Sequence, residues 1–179
     1  KKNFDKKNIF VNLLKIRDQN IELLNKVFDL NNLLGNEYFN FYIRPHPNLE
    51  IKNSFLNKIN SKKNNNIQIS QLNMSELMDK CLICISMSTG AVYDAIINGN
   101  IVINVESELN YCDNYLDFVA NRFEFLKTRS LEEVVILLNK LKIDENFKKN
   151  LEEYKKAQKY FLEGMRLTDV NNIKSFQLK

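Results

Sequence analysis

The sequence predicts an α/β fold, a doubly wound parallel sheet with helices on both faces. Short apolar runs rich in isoleucine, valine and phenylalanine alternate along the chain with segments whose apolar residues recur at helical spacing. One run, CLICIS at residues 81–86, lacks the alternation of a half-exposed strand, which is typical of a central parallel strand covered on both faces. Because strands and helices alternate, the connections favour parallel pairing.

The first half of the chain contains three predicted strands. The run NIFVNLL predicts a strand over residues 8–14, and helical spacing over residues 18–34 predicts a helix that ends before Gly35. The aromatic and β-branched run EYFNFYIR predicts a second strand over residues 37–44. The remaining elements predicted here are a helix over 49–59, a short strand over 67–69 and one or two helical turns over 75–79.

The second half begins with a compact unit of strand, turn, helix and strand. CLICIS leads into the small-residue turn SMSTG at residues 86–90, then into the helical segment AVYDAIING that ends at Gly99, and then into the strand IVINV at residues 101–105. The elements predicted after this unit are a short strand over 122–126 and amphipathic helices over 131–141 and 145–162.

Length and charge narrow the class of protein. With 179 residues and 44% apolar content we expect a single domain over residues 1–179, with helices in its C-terminal part, 145–179. The net charge of +4 is small and the lysines are interspersed with acids, so no nucleic-acid partner is expected. Because the chain has neither a membrane-length apolar run nor a signal peptide pattern, we expect a cytoplasmic location. A start at Lys1 instead of Met suggests a piece of a longer polypeptide.

Two of the three cysteines lie inside CLICIS. The spacing of Cys81 and Cys84 is that of a redox or metal half-site, but no second CxxC follows, and their neighbours are apolar. We therefore interpret both as buried thiols of a strand and expect no metal and no cofactor.

The segment IRPHPN at residues 43–48 holds the only histidine and both prolines of the chain. Each proline fixes its own backbone and keeps the residue before it out of the helical region, so Arg44 and His46 are held extended. One interpretation is a rigid turn whose histidine packs on a neighbour. The other is a stiffened cationic segment that belongs to a binding site.

In an open parallel sheet, ligands bind beyond the carboxyl ends of the strands. IRPHPN follows one predicted strand and SMSTG another, so we expect Arg44 and His46 to lie at the same rim as the turn residues Ser86, Ser88, Thr89 and Gly90. The turn also opens a helix, whose unpaired amides and dipole favour a phosphate. Plain helix capping by serine and threonine is the alternative. Asp94, one turn into that helix, either accepts from ribose hydroxyls or is a solvated carboxylate.

Together these segments resemble a known group of enzymes. An R-x-H-P-N segment after one strand, then an apolar strand, S-x-S-T-G, a short helix with Asp-Ala, an Asn-Gly end and another apolar strand resemble the C-terminal nucleotide-binding domain of the GT-B fold. The likeness is to bacterial glycosyltransferases of capsule and lipopolysaccharide synthesis, including sialyltransferase-like and Kdo-transferase-like enzymes. It covers roughly residues 9–141. UDP-N-acetylglucosamine 2-epimerases are similar too, but their D-S-G-G turn is M-S-T-G here.

The resemblance implies a role for each motif. His46, as donor and general acid, would act with Ser88 and Thr89 on the phosphate of a nucleotide-activated sugar donor, and Asp94 would lie near the ribose. It implies a Rossmann-like domain, a CMP- or CDP-linked donor, a missing N-terminal domain that holds the general base, and peripheral membrane association of the whole enzyme. The alternatives are a UDP-sugar epimerase or hydrolase of the same fold, and a non-catalytic nucleotide-sugar-binding module or interaction module.

Overall fold

The computed structural model of this chain describes residues 5–13, 17–35, 38–46, 56–57, 59–60, 65–87, 91–109 and 128–143, together with 149, 152, 154–156, 159 and 163 in the C-terminal segment. Three predicted elements fall largely or wholly outside these residues: the helix over 49–59, the strand over 122–126 and the helix over 145–162.

Five parallel strands form one sheet in the described part of the chain, which confirms the predicted α/β class with its Rossmann-like sheet. The strands are β1 (Asp5–Asn12), β2 (Asn40–Arg44), β3 (Ile67–Ile69), β4 (Cys81–Ser86) and β5 (Ile101–Asn104), in the spatial order β3-β2-β1-β4-β5. The chain adds β2 and β3 on one side of β1, then crosses to add β4 and β5 on the other. The strand order therefore reverses between β1 and β4.

The described part of the chain contains four helices with defined bounds: α1 (Arg17–Leu34), α2 (Met74–Lys80), α3 (Ala91–Asn98) and α4 (Leu131–Lys142). Buried residues of α1 and α4 form one apolar cluster with one face of the sheet, and those of α2 and α3 form a second cluster with the other. These are called the α1/α4 face and the α2/α3 face below. Helices thus cover both faces, as predicted.

Alternation along β1 shows how one strand serves both clusters. Ile9 and Val11 belong to the α1/α4 cluster, while Phe10 belongs to the α2/α3 cluster, and all three are fully buried. Successive side chains of a strand point to opposite faces, so a strand with both faces covered must be apolar at consecutive positions. Burying each such side chain stabilises the fold by about 1.5–3 kcal/mol.

Glycines end two of the helices where the sequence predicted them. Gly35 follows α1 with a φ of 72°, and Gly99 follows α3 with a φ of 97° and donates its amide to the carbonyl of Ala95 at 3.1 Å. Residues with a Cβ rarely adopt this left-handed conformation. Beyond β5, Val105 forms an isolated parallel β-bridge with Arg129. Within the described residues, Arg129 therefore lies next to the β5 edge of the sheet.

Candidate functional site

Four neighbouring strands end in polar residues at the same level of the sheet. Asn12 of β1 pairs with Arg44 of β2, and Ser86 of β4 pairs with Asn104 of β5. Val11 pairs with Ile85, so the next step along β1 and β4 brings Asn12 beside Ser86. These four residues are called the polar row below: Arg44, Asn12, Ser86 and Asn104. Because neighbouring strands lie about 4.8 Å apart, the polar row extends over about 14 Å of the carboxyl edge.

The polar row lies on one face of the sheet. The residues two positions earlier, Tyr42, Phe10, Cys84 and Val102, all belong to or pack on the α2/α3 cluster. Because side chains two apart share a face, the polar row lies on the α2/α3 face, where α3 begins. The polar row includes the last residues of β1 and β4, the two strands that flank the reversal of strand order. Ligands bind at such a reversal in open α/β sheets.

The Arg44 side chain is held by its neighbour in the row. Its Nη1 donates to the amide oxygen of Asn12 at 3.0 Å, and Asn12 is only 4% exposed. Arg44 itself is half-buried. The partner is a neutral amide, so this contact fixes the guanidinium without neutralising its charge.

The β4 and β5 end of the row is deeper. Ser86 and Asn104 are both fully buried, and the Asn104 amide nitrogen donates to the hydroxyl of Thr128 at 2.9 Å. The backbone carbonyls of these two residues are also paired. The Val105 amide donates to the carbonyl of Ser86, and the Arg129 amide donates to the carbonyl of Asn104, each at 2.9 Å. The side chains of Ser86 and Asn104 are thus the buried polar part of this edge.

The remaining predicted site residues have different placements. His46 lies two residues beyond Arg44, the last residue of β2, and is half-buried, so both candidates lie on the same side of the reversal. Asp94 lies in the first turn of α3 and is exposed. Ser88, Thr89 and Gly90 lie outside the described residues. The structure thus brings Arg44, His46 and Ser86 to one edge.

The carboxylate of Glu22, whose side chain is 12% exposed, supports the segment that leaves β5 at this edge. Glu22 of α1 accepts from the Ser107 hydroxyl at 2.7 Å and from the Glu108 amide at 2.7 Å. Lys26 lies 3.5 Å from Glu22 and 3.7 Å from the carboxylate of Glu108. Glu22 therefore ties α1 to the chain just beyond β5.

The cysteine prediction is confirmed for the two cysteines in β4. Cys81 and Cys84 are buried thiols that take part in no disulfide bond. Burial raises the pKa of the Cys84 thiol, and the neighbouring Cys81 raises it further, so the reactive thiolate is disfavoured. Among the described residues no group of three or more histidines, cysteines and acids could hold a metal ion.

Sequence reasoning missed Asn12, Asn104 and Glu22. The two asparagines terminate apolar runs, NIFVN and IVIN, and a polar side chain that ends a buried strand was the available signal. Glu22 lies within a helix that has many polar residues, and its contact with Ser107 spans 85 positions of the chain. No local pattern could identify that contact.

The fold and this edge define the class of the protein, a Rossmann-like α/β domain with a polar carboxyl edge at its strand-order reversal. No known family model matches the chain, and no curated protein matches it. None of the helices in the described ranges has the length and apolar character needed to cross a membrane.

Proposed function

We propose that this chain is the donor-binding domain of a glycosyltransferase that uses a nucleotide-activated sugar, CMP- or CDP-linked, in bacterial surface polysaccharide or lipopolysaccharide synthesis. One observation carries the proposal. The Arg44 guanidinium, held by the neutral Asn12, lies at the carboxyl edge one strand away from the strand-order reversal, with His46 two residues further on. A cation fixed at that position favours a phosphate-bearing ligand.

The chemistry of glycosyl transfer requires such groups. As the bond between the sugar and its phosphate breaks, negative charge grows on the departing phosphate oxygen. Hydrogen-bond donors that are already oriented stabilise this charge without reorganising, and an imidazolium at His46 would also deliver a proton to it. The general base that activates the acceptor would come from an N-terminal domain of the whole enzyme.

In this proposal different residues bind different parts of the donor. Arg44 and His46 act on the phosphate, with the turn residues Ser88, Thr89 and Gly90 at the start of α3. The fully buried Ser86 ends β4, just before that turn in the chain, and Asp94, exposed in the first turn of α3, accepts from ribose hydroxyls.

Calorimetric titration with CMP, CDP, UDP and GDP tests the proposal. We expect selective binding of the cytidine nucleotides, since the sialyltransferase-like resemblance implies a CMP-linked donor. Selective binding of UDP would support the epimerase or hydrolase alternative instead. Absence of binding to all four would contradict a donor site and favour an interaction module.

Substitution then assigns the binding to this edge. His46→Ala is expected to cost about 1.5–3 kcal/mol of nucleotide affinity through loss of a charge-assisted hydrogen bond. Lys140→Ala is the matched control, because it removes an exposed positive charge from the last turn of α4. Equal losses in both variants would point to a general charge effect, and a strongly destabilised His46→Ala that binds normally would make His46 a packing residue.

A further inference from the structure

We propose that Asn12 is a positioning residue for anion binding, which holds the Arg44 guanidinium in the orientation that receives a phosphate. The inference rests on the proposed function in one respect only, that the anion is the phosphate of a nucleotide-activated donor. It assigns a role to a side chain that does not itself need to touch the ligand.

The contact restricts an otherwise flexible cation. The side chain of Arg44 carries five N–H donors in a planar fork, and its Nη1 donates to the Asn12 amide oxygen at 3.0 Å. Asn12 is buried in the sheet at 4% exposure, so the acceptor is itself fixed. A guanidinium anchored through one nitrogen loses less conformational freedom when it then binds an anion through the others.

The neutrality of the acceptor distinguishes this arrangement from an ordinary ion pair. An aspartate at this position would offer the same oxygen geometry and a stronger bond to Arg44, but its charge would oppose the binding of a phosphate. Asparagine keeps the orientation and leaves the full positive charge available.

The same two strands provide an internal comparison. Asn8 and Asn40 form the other amide contact between β1 and β2, with the Asn40 amide nitrogen 3.1 Å from the Asn8 oxygen, on the same face and four residues earlier. That pair lies about 13 Å from the polar row and involves no charged group. Amide pairing between these strands therefore also occurs without a cation, whereas the anchored cation occurs at the carboxyl edge.

The test measures binding of inorganic pyrophosphate, CDP and cytidine by calorimetry. Asn12→Asp should weaken pyrophosphate and CDP by about tenfold or more, because it places a carboxylate against Arg44, and should leave cytidine unchanged. Asn12→Ala should weaken both anions less strongly, by about three- to tenfold, because Arg44 keeps its charge and loses only its orientation. Asn40→Asp and Asn8→Ala are the matched controls and should bind all three ligands like the parent.

Thermal unfolding separates positioning from a structural role. Asn12→Asp should unfold at a temperature no lower than Asn12→Ala, because it retains an acceptor for Arg44, yet it should bind pyrophosphate more weakly. Affinity that merely follows stability across the variants would overturn the inference, as would parental pyrophosphate affinity in Asn12→Asp. If Asn12→Asp does not fold, Asn12→Ala against Asn8→Ala decides in the same way.

The ligands also separate this inference from the proposed function. A parent chain that binds pyrophosphate as tightly as CDP would contradict the nucleotide site, and the role of Asn12 would then be judged on pyrophosphate alone. A parent that binds no anion would overturn the inference itself, since Arg44 would then be anchored for packing.

Discussion

Asn12 and Asn100 are buried amides at opposite ends of the same sheet. The Asn100 side chain donates to the carbonyls of Met78 at 2.8 Å and Cys81 at 2.6 Å, and the Asn100 carbonyl accepts from the Tyr154 hydroxyl. These partners belong to the fold, so the Asn100 amide satisfies backbone groups that would otherwise be buried without partners. Asn12 instead bonds the charged end of a half-buried side chain. The difference between the partners makes the carboxyl edge the functional candidate.

The sequence predicted the residues of that edge that belong to the unusual segment IRPHPN, and it missed the asparagines. Arg44 and His46 were identified because the single histidine and both prolines occur together. Asn12 and Asn104 belong to a residue type that recurs throughout this chain, and only strand register shows that they lie in one row. Residue type alone could not separate them from asparagines in loops.

At the same scale, the thiols of β4 should be unreactive. The third cysteine of the sequence, Cys112, is replaced by serine so that only Cys81 and Cys84 can react. The folded Cys112→Ser variant should resist iodoacetamide at pH 8, because Cys81 and Cys84 are buried and burial raises the pKa of Cys84. Both should react fully in denaturant, as measured by intact mass. Rapid alkylation of the folded variant would show that the CxxC is accessible, and would reopen the redox or metal interpretation.

At the scale of elements, the order of strands and helices in the described residues follows the apolar pattern, but strand limits do not. The first strand was predicted over residues 8–14 and runs over Asp5–Asn12, because backbone pairing extends to Asp5 without requiring an apolar side chain. The second begins at Asn40 and not at residue 37. Tyr38 and Phe39 are packed edge to face, with centroids 4.9 Å apart, before the strand begins. Hydrophobicity reports burial, not ladder hydrogen bonds.

The start of α4 offers a test of local capping. The Ser130 hydroxyl accepts from the Glu133 amide at 3.3 Å while the Glu133 carboxylate accepts from the Ser130 amide at 3.0 Å, which is a capping box. Ser130→Ala should lower the free energy of unfolding by about 0.5–2 kcal/mol in urea titration. Ser75→Ala is the control, since Ser75 is an exposed serine inside α2. An equal loss in both would contradict the capping argument.

The connection between α1 and the chain after β5 is expected to depend on one carboxylate. Glu22→Gln removes the charge that strengthens both hydrogen bonds and replaces one acceptor oxygen by a donor nitrogen. We expect a loss of about 1.5–3 kcal/mol in the free energy of unfolding and faster hydrogen exchange at the Glu108 amide. Glu106→Gln, at an exposed neighbour, should change neither. Unchanged exchange at Glu108 would show that Glu22 does not hold this segment.

At the scale of the whole molecule, the sequence predicts parallel pairing but not the order of the strands. The alternation of elements indicates crossover connections, and either side of β1 was open to β4. The observed order β3-β2-β1-β4-β5 places the reversal between β1 and β4 and so selects Asn12 and Ser86 as the residues beside it. Which residues form the candidate site is therefore a property of topology, which short-range patterns do not contain.

Stability as a whole should fall at alkaline pH through two buried groups. Burial raises the pKa of Tyr154, whose hydroxyl also lies 3.3 Å from the Val102 amide, and burial likewise raises the pKa of Cys84. A group whose pKa is higher in the folded state stabilises the fold fully below its unfolded pKa, and that contribution is lost as pH rises above it. The unfolded values are about 8.5 for cysteine and about 10 for tyrosine, so the loss should begin near pH 8.5 and steepen near pH 10.

Urea unfolding of the parent, Cys84→Ala and Tyr154→Phe between pH 7 and pH 10.5, under reducing conditions, measures each contribution. Tyr154→Phe should be about 1–3 kcal/mol less stable than the parent at pH 7, because the carbonyl of Asn100 and the amide of Val102 lose a buried partner. The stability deficit of Tyr154→Phe should narrow above pH 10, where the parent alone loses the tyrosine contribution. The free energy of unfolding of Cys84→Ala should fall less than that of the parent between pH 8.5 and pH 10. A deficit of Tyr154→Phe that stays constant across the range would mean that Tyr154 ionises equally in both states, and that its hydroxyl is not buried against Asn100 and Val102.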